Sequence, residues 1–69
     1  MKLIINGKEE NIAENELSLS KLLTLKDVKF PQMVSVQLNG EFVKTDLYES
    51  KILKENDNVE FLYFMGGGR

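Results

Sequence analysis

The sequence predicts an α+β domain in which one helix packs across one face of a mixed sheet of four or five strands. Three features predict this class: two strand pairs joined by Asn-Gly turns, one short segment with leucines at helical spacing, and an apolar strand near the end of the sequence. The chain has 69 residues, 42% of them hydrophobic, so we expect one domain with a core of marginal size. No repeat or linker divides it, and all elements are expected to share that core.

The first strand pair opens the chain. Residues 2–5 form a short apolar run that leads into Asn6-Gly7, the strongest two-residue signal for a β-hairpin. Residues 8–12 return as a second strand, and their charged side chains are typical of a strand at the edge of a sheet.

A short helix is predicted over residues 18–26. Ser18 is a suitable N-cap, and the leucines that follow it have the i, i+3, i+4 spacing of one helix face. Pro31 prevents the helix from continuing into the next segment. A helix of about two turns depends on tertiary packing rather than on propensity.

A second hairpin follows the helix. Residues 34–38 alternate between apolar and polar side chains, which indicates a half-buried strand, and Asn39-Gly40 turns it back into residues 41–43. Residues 45–50 read as a capped turn or a short 3₁₀ segment, in which Leu47 and Tyr48 are expected to close one end of the core.

The last strand, residues 59–64, comes after a polar turn at residues 55–58. With this strand placed between the first and the third, the arrangement is the β-grasp fold. The residues expected beneath the helix are Leu22, Leu23, Val34, Val36, Leu38, Val59 and Phe61.

One face of the last strand has no predicted cover. Side chains alternate between the two faces of a sheet, so if Val59 and Phe61 face the helix, Leu62 and Phe64 face away from it. A single helix covers only one face, and we therefore expect Leu62 and Phe64 to form an apolar docking surface for a partner. Loops over this face, or self-association through it, are the alternatives.

The composition argues against several functions. There is no histidine and no cysteine, which removes the commonest general base, the thiolate nucleophile and the commonest transition-metal ligands. We therefore expect neither an enzyme nor a chain that binds a metal or cofactor itself. A net charge of −2 offers no basic surface to nucleic acid, and no signal peptide or long apolar run indicates a membrane. A cytoplasmic protein is expected.

Three of the five glycines are consecutive, at Gly66, Gly67 and Gly68, and Arg69 follows them. Glycine has no side chain to pack and loses the most freedom on ordering, so residues 65–69 are predicted to form a flexible tail on a domain of residues 1–64. A thin tail of this kind suits insertion into the active site of another protein. A frayed end without function is the simpler alternative.

The strand order and the tail together resemble the bacterial sulfur carrier proteins, which are ubiquitin-like β-grasp proteins of the thiamine type (ThiS) and the molybdopterin type (MoaD). The matching segments are residues 3–8, 19–23, 36–43 and 57–68. The last of them looks like the thiamine-type ending, and its glycines are the most specific element. One departure is Arg69, which follows Gly68 where family members able to react directly end in glycine.

The resemblance implies a chain that is acted upon. A ThiF/MoeB-like activating enzyme would adenylate Gly68 with ATP after a peptidase had removed Arg69. A sulfur donor would then displace AMP and leave a thiocarboxylate, whose sulfur passes to thiazole synthase or to another sulfur-accepting enzyme in thiamine or related sulfur-metabolite biosynthesis. Gly66 and Gly67 would form the tether, while Leu62 and Phe64 would dock on the activating enzyme.

Two other functions suit the same fold. A ubiquitin-like protein modifier would join its tail to a lysine of another protein and produce a ladder of conjugates. A β-grasp interaction domain that does not use its tail would keep its function after deletion of residues 66–69. The chemistry of the tail therefore decides among the three functions.

Overall fold

The computed structural model describes residues 1–63. It contains one α-helix, α1 (Leu19–Leu25), and two 3₁₀ turns, Pro31–Met33 and Thr45–Leu47. The strands are β1 (Lys2–Ile5), β2 (Lys8–Asn11), β3 (Leu17–Ser18), β4 (Val34–Leu38), β5 (Glu41–Val43), β6 (Ile52–Leu53) and β7 (Asn58–Tyr63). No helix within these residues is long and apolar enough to cross a bilayer.

Five strands form the main sheet, in the order β2-β1-β7-β4-β5. The last strand, β7, lies at its centre, parallel to β1 and antiparallel to β4. This topology, with α1 across one face, is the β-grasp fold that the sequence predicts. The second sheet was not predicted: β3 and β6 pair over only two residues each, which is too short for a periodic pattern.

The helix begins and ends as the sequence predicts. Ser18 is its N-cap, and the Ser18 hydroxyl accepts a hydrogen bond of 3.0 Å from the Lys21 N–H. Leu19, Leu22 and Leu23 are buried against the sheet, whereas Leu25 is 46% exposed on the outer side. The amphipathic spacing therefore fixes which side of α1 faces the core.

All seven residues that the sequence places beneath the helix are buried, including Val36, which is fully inaccessible to solvent. This confirms the strand register, because a shift of one residue would turn each side chain to the other face. Other members of the core come from the flanking segments. They are Leu3, Ile5, Leu17, Leu19, Val28, Tyr48 and Leu53.

The prediction for Leu47 and Tyr48 is half right. Tyr48 is buried, and its hydroxyl donates a 2.9 Å hydrogen bond to the Val34 carbonyl. The prediction that Leu47 is a core residue is wrong, since 48% of its surface is exposed. Neighbouring residues in a 3₁₀ turn point in different directions, and a single buried position is enough to close this part of the core.

The two hairpin turns also hold the central strand. Asn6 and Asn39 have φ angles of 51° and 53°, and the glycines that follow them also have positive φ, as type I′ turns require. The Asn6 side chain accepts a 2.8 Å hydrogen bond from the Phe61 N–H, and the Asn39 side chain accepts one of 2.9 Å from the Asn58 N–H. Asparagine therefore serves both the turn geometry and the positioning of β7.

Candidate functional site

The central strand β7 comes directly before the segment that contains the predicted reactive residue. Its last residue, Tyr63, pairs with Val34 at the start of β4. The residues proposed for reaction, tethering and processing, namely Gly68, Gly66, Gly67 and Arg69, lie outside the described residues. So do Phe64 and the boundary between a domain of residues 1–64 and a tail of residues 65–69.

Leu62 lies on the sheet face away from α1, which we call the outer face. Its neighbour Phe61 is 6% exposed beneath the helix, whereas Leu62 is 48% exposed. Leu62 sits opposite Ser35 of β4, whose side chain is small, so nothing across the strand pair covers it. The prediction that Leu62 faces away from the helix is therefore confirmed, and Leu62 lies one residue before the end of β7.

The outer face has a second large apolar side chain that the sequence analysis missed. Phe42 of β5 pairs with Gln37, and Gln37 pairs with Glu60 of β7, so the three side chains share the outer face. Phe42 is 67% exposed. The signal was present in the two-residue Asn39-Gly40 turn, because such a turn fixes the register and so places Phe42 opposite Gln37.

The described part of the chain offers little for catalysis. Within residues 1–63 no charged side chain is buried, and no group of three or more acidic, histidine or cysteine residues is placed to hold a metal ion. A hollow of about 390 Å³ lies beside the β4–β5 hairpin, between Leu38, Phe42 and Leu47. Its charged lining consists of Glu41 and Lys51, and an acyl-transfer site needs a nucleophile–base pair that neither of them supplies.

A small β-grasp domain whose central strand leads into consecutive glycines defines a class of ubiquitin-like proteins, and comparison with known proteins identifies the family. The chain matches the model of the ThiS family over residues 3–68. It belongs to that family, which confirms the resemblance seen in the sequence. Family membership supports a sulfur carrier role.

Solved structures agree with this assignment. The crystal structure of the thiamine biosynthesis protein (ThiS) from Geobacter metallireducens is 39% identical, with a TM-score of 0.86 over 99% of this chain and 100% of that one. A solution structure of a thiamine biosynthesis protein from the same organism is 38% identical, with a TM-score of 0.86 over 100% of this chain and 90% of that one. The β-grasp fold is therefore shared with proteins of this family.

Two curated relatives are longer proteins, both named thiazole synthase. The one from Magnetococcus marinus is 35% identical over 69 residues, which are 100% of this chain and 21% of the relative. The one from Paramagnetospirillum magneticum is 34% identical over 68 residues, which are 99% of this chain and 20% of the relative. The chain thus spans about a fifth of the length of these relatives.

Proposed function

We propose that this chain is a sulfur carrier whose reactive group is the carboxylate of Gly68, exposed by cleavage of the Gly68–Arg69 bond. The observation that carries the proposal is the extent of the family match, which runs from residue 3 to residue 68 and leaves Arg69 outside. The shared pattern therefore ends at the last of the three glycines. A peptidase that removes Arg69 would expose that end.

The proposed chemistry takes place on the tail and is catalysed elsewhere. The Gly68 carboxylate attacks the α-phosphorus of ATP, releasing pyrophosphate and forming an acyl-adenylate. Hydrosulfide, or a donor that supplies sulfur at the same oxidation level, then adds to the acyl carbon and expels AMP, which leaves a thiocarboxylate. In this proposal ATP is bound by the ThiF/MoeB-like activating enzyme rather than by the chain itself, and the reaction takes place in the cytoplasm.

The glycines suit this reaction for a steric reason. A side chain on Gly66 or Gly67 would widen the segment that must enter the enzyme's active site, and a side chain on Gly68 would crowd the attacked carbon. Binding energy for the complex must then come from the folded domain. Leu62 and Phe64 are the proposed docking residues. The 48% exposure of the Leu62 side chain supports this role for Leu62.

Thiazole synthase is the proposed sulfur acceptor. In the curated relatives, a segment similar to this whole chain makes up about a fifth of a protein named thiazole synthase. Two proteins that act on each other are natural partners for fusion, because joining them raises their effective concentration. We therefore propose that this chain supplies sulfur to thiazole formation in thiamine biosynthesis.

The intact mass of the protein recovered from its own cells tests the proposal. We expect a species that has lost Arg69 and is heavier than the Gly68-ended chain by the difference between sulfur and oxygen. Alkylation with iodoacetamide should label that species alone, since the chain contains no cysteine. A population that retains Arg69 throughout, or a ladder of lysine conjugates, would contradict the carrier role.

A matched pair of half-exposed aliphatic residues tests the docking role of the outer face. Leu62 and Ile52 are 48% and 49% exposed, but Ile52 lies in the separate two-stranded sheet, where it pairs with Ser18 at the start of α1. In the Gly68-ended chain, Leu62→Ala should weaken binding to the activating enzyme by about 1–2 kcal/mol, the range of an interface anchor, measured by titration calorimetry. Ile52→Ala should leave the affinity nearly unchanged. Equal losses from both variants would show that the outer face is not the docking surface.

A further inference from the structure

The loop between α1 and β4 presents two large apolar side chains outside the proposed docking surface. We call residues 28–33 the exit loop. Phe30 is 64% exposed and Met33 is 47% exposed, while Val28 in the same loop is buried in the core. Two of the seven large hydrophobic residues that are exposed among residues 1–63 thus lie within this one short loop.

The exit loop is held by hydrogen bonds before any partner binds. The Val28 N–H donates to the Leu23 carbonyl at 2.9 Å, and the Met33 N–H donates to the Phe30 carbonyl at 2.8 Å, closing a 3₁₀ turn that begins at Pro31. Proline fixes its own φ angle and so further restricts this turn. Phe30 and Met33 are thus presented from an ordered backbone, which lowers the entropy cost of using them in an interface.

The strand register places the exit loop where β7 ends. Val34, the residue after the loop, lies directly opposite Tyr63. Paired residues of antiparallel strands are about 5 Å apart at their Cα atoms, and the 3₁₀ turn keeps Phe30 close to Met33. The exit loop therefore flanks the point from which the chain continues toward Gly68.

The short distance from Tyr63 to Gly68 limits how far away an enzyme can bind. The five intervening steps span at most about 17 Å when fully extended. A standard interface covers about 800 Å² on each partner, which corresponds to a patch about 16 Å in radius. An enzyme that holds Gly68 in its active site must therefore cover the surface around the end of β7, and the exit loop lies within that area.

We propose that Phe30 and Met33 are part of the docking surface for the adenylating enzyme; this inference rests on the proposed function. Adenylation is the step that needs the contact most. A carboxylate is a weak nucleophile toward ATP and must be held in line with the α-phosphorus, and binding energy from remote contacts supplies that positioning. The thiocarboxylate formed later is a stronger nucleophile and depends less on such contacts.

The test compares Gly68-ended chains in ATP–pyrophosphate exchange with the ThiF/MoeB-like enzyme from the same cells. Phe30→Ala and Met33→Ala should each lower kcat/KM for the carrier about tenfold, as interface anchors do. Ile52→Ala is the control, because Ile52 is equally exposed, at 49%, but lies elsewhere. It pairs with Ser18 at the start of α1, whereas the exit loop follows the end of α1. That variant should stay within twofold of the parent, and all three should unfold at the parent's temperature.

Three results would overturn the inference. The first is exchange within twofold of the parent for Phe30→Ala and Met33→Ala, and the second is an equal loss in Ile52→Ala. The third is normal adenylation combined with slow sulfur delivery to the acceptor, which would assign the exit loop to the acceptor instead. Failure of the unsubstituted Gly68-ended chain to support any exchange would reject the proposed function itself, and this inference with it.

Discussion

We expect a chain that ends at Gly68 to be adenylated by its activating enzyme and the chain that keeps Arg69 to be inert. In the longer form the Gly68 carbonyl is part of a peptide bond and has no carboxylate oxygen to attack ATP. The free carboxylate then belongs to Arg69, one residue further along and beside a bulky cation. A shift of one residue, about 3.5 Å, exceeds the tolerance of an in-line reaction.

Chains of three lengths make this test sharp. ATP–pyrophosphate exchange should be strong for the chain ending at Gly68 and undetectable for chains ending at Arg69 or at Gly67. The Gly67-ended chain is the informative control, because it presents a glycine carboxylate with the same chemistry but one residue too short. In the Gly68-ended chain, Gly68→Val should also abolish exchange, because a branched side chain next to the carboxylate hinders its approach to the α-phosphorus of ATP.

None of these changes alters the residues of the core, so each chain should keep the circular dichroism spectrum and unfolding temperature of the parent. Equal exchange by the Arg69-ended and Gly68-ended chains would mean that no cleavage is needed. Equal exchange by the Gly67-ended chain would mean that the enzyme does not measure the length of the tail. Either result would remove Gly68 from its proposed role.

The elements that the sequence predicts well have strong local signals. The alternation of residues 34–38 fixes a strand with one buried face, and the two Asn-Gly pairs fix hairpins whose asparagines have positive φ. The central place of β7 was expected from the β-grasp arrangement, in which the last strand lies between the first and the third, and the strand order confirms it. Fold prediction therefore succeeded where periodicity and turn chemistry agree.

Other features depend on contacts between distant segments and have no local signal. The β3–β6 pair is two residues long, and Leu17 and Leu53 are buried only because the fold brings them together. Leu47 has the apolar side chain of a core residue but is exposed, because the neighbouring Tyr48 occupies the buried position at this end of the core.

For the candidate site, parity predicted the exposure of Leu62, whereas the roles of Gly66, Gly67 and Gly68 stay predictions from the sequence. The exposed Phe42 and Phe30 were not recognised. The Asn39-Gly40 turn fixes the register that places Phe42 opposite Gln37, so its position could have been read from the sequence. Phe30 lies in a loop, and no local pattern in the sequence gives the orientation of its side chain.

The second large effect that we expect is on stability: Leu22→Ala should lower the free energy of unfolding by about 2–5 kcal/mol. Leu22 is fully buried at the centre of the helix face, so the substitution removes apolar contacts and leaves a cavity. A chain of this length has a total stability of roughly 3–10 kcal/mol, at about 0.05–0.15 kcal/mol per residue. The loss is therefore a large share of the total, and much of the variant should be unfolded at moderate urea concentration.

Leu25→Ala provides the matched control for this measurement, made by urea unfolding followed by circular dichroism. Both leucines lie on α1, and both substitutions change the helix propensity equally. They differ in burial, since Leu25 is 46% exposed, so its variant should lose less than about 1 kcal/mol. The difference between the two variants isolates the energy of packing α1 on the sheet. Equal destabilisation by the two variants would mean that α1 does not stabilise the sheet through its buried face. Because the packing of α1 orders β7, which leads to the glycines, a Leu22→Ala chain that ends at Gly68 should also lose adenylation activity in proportion to its unfolded fraction.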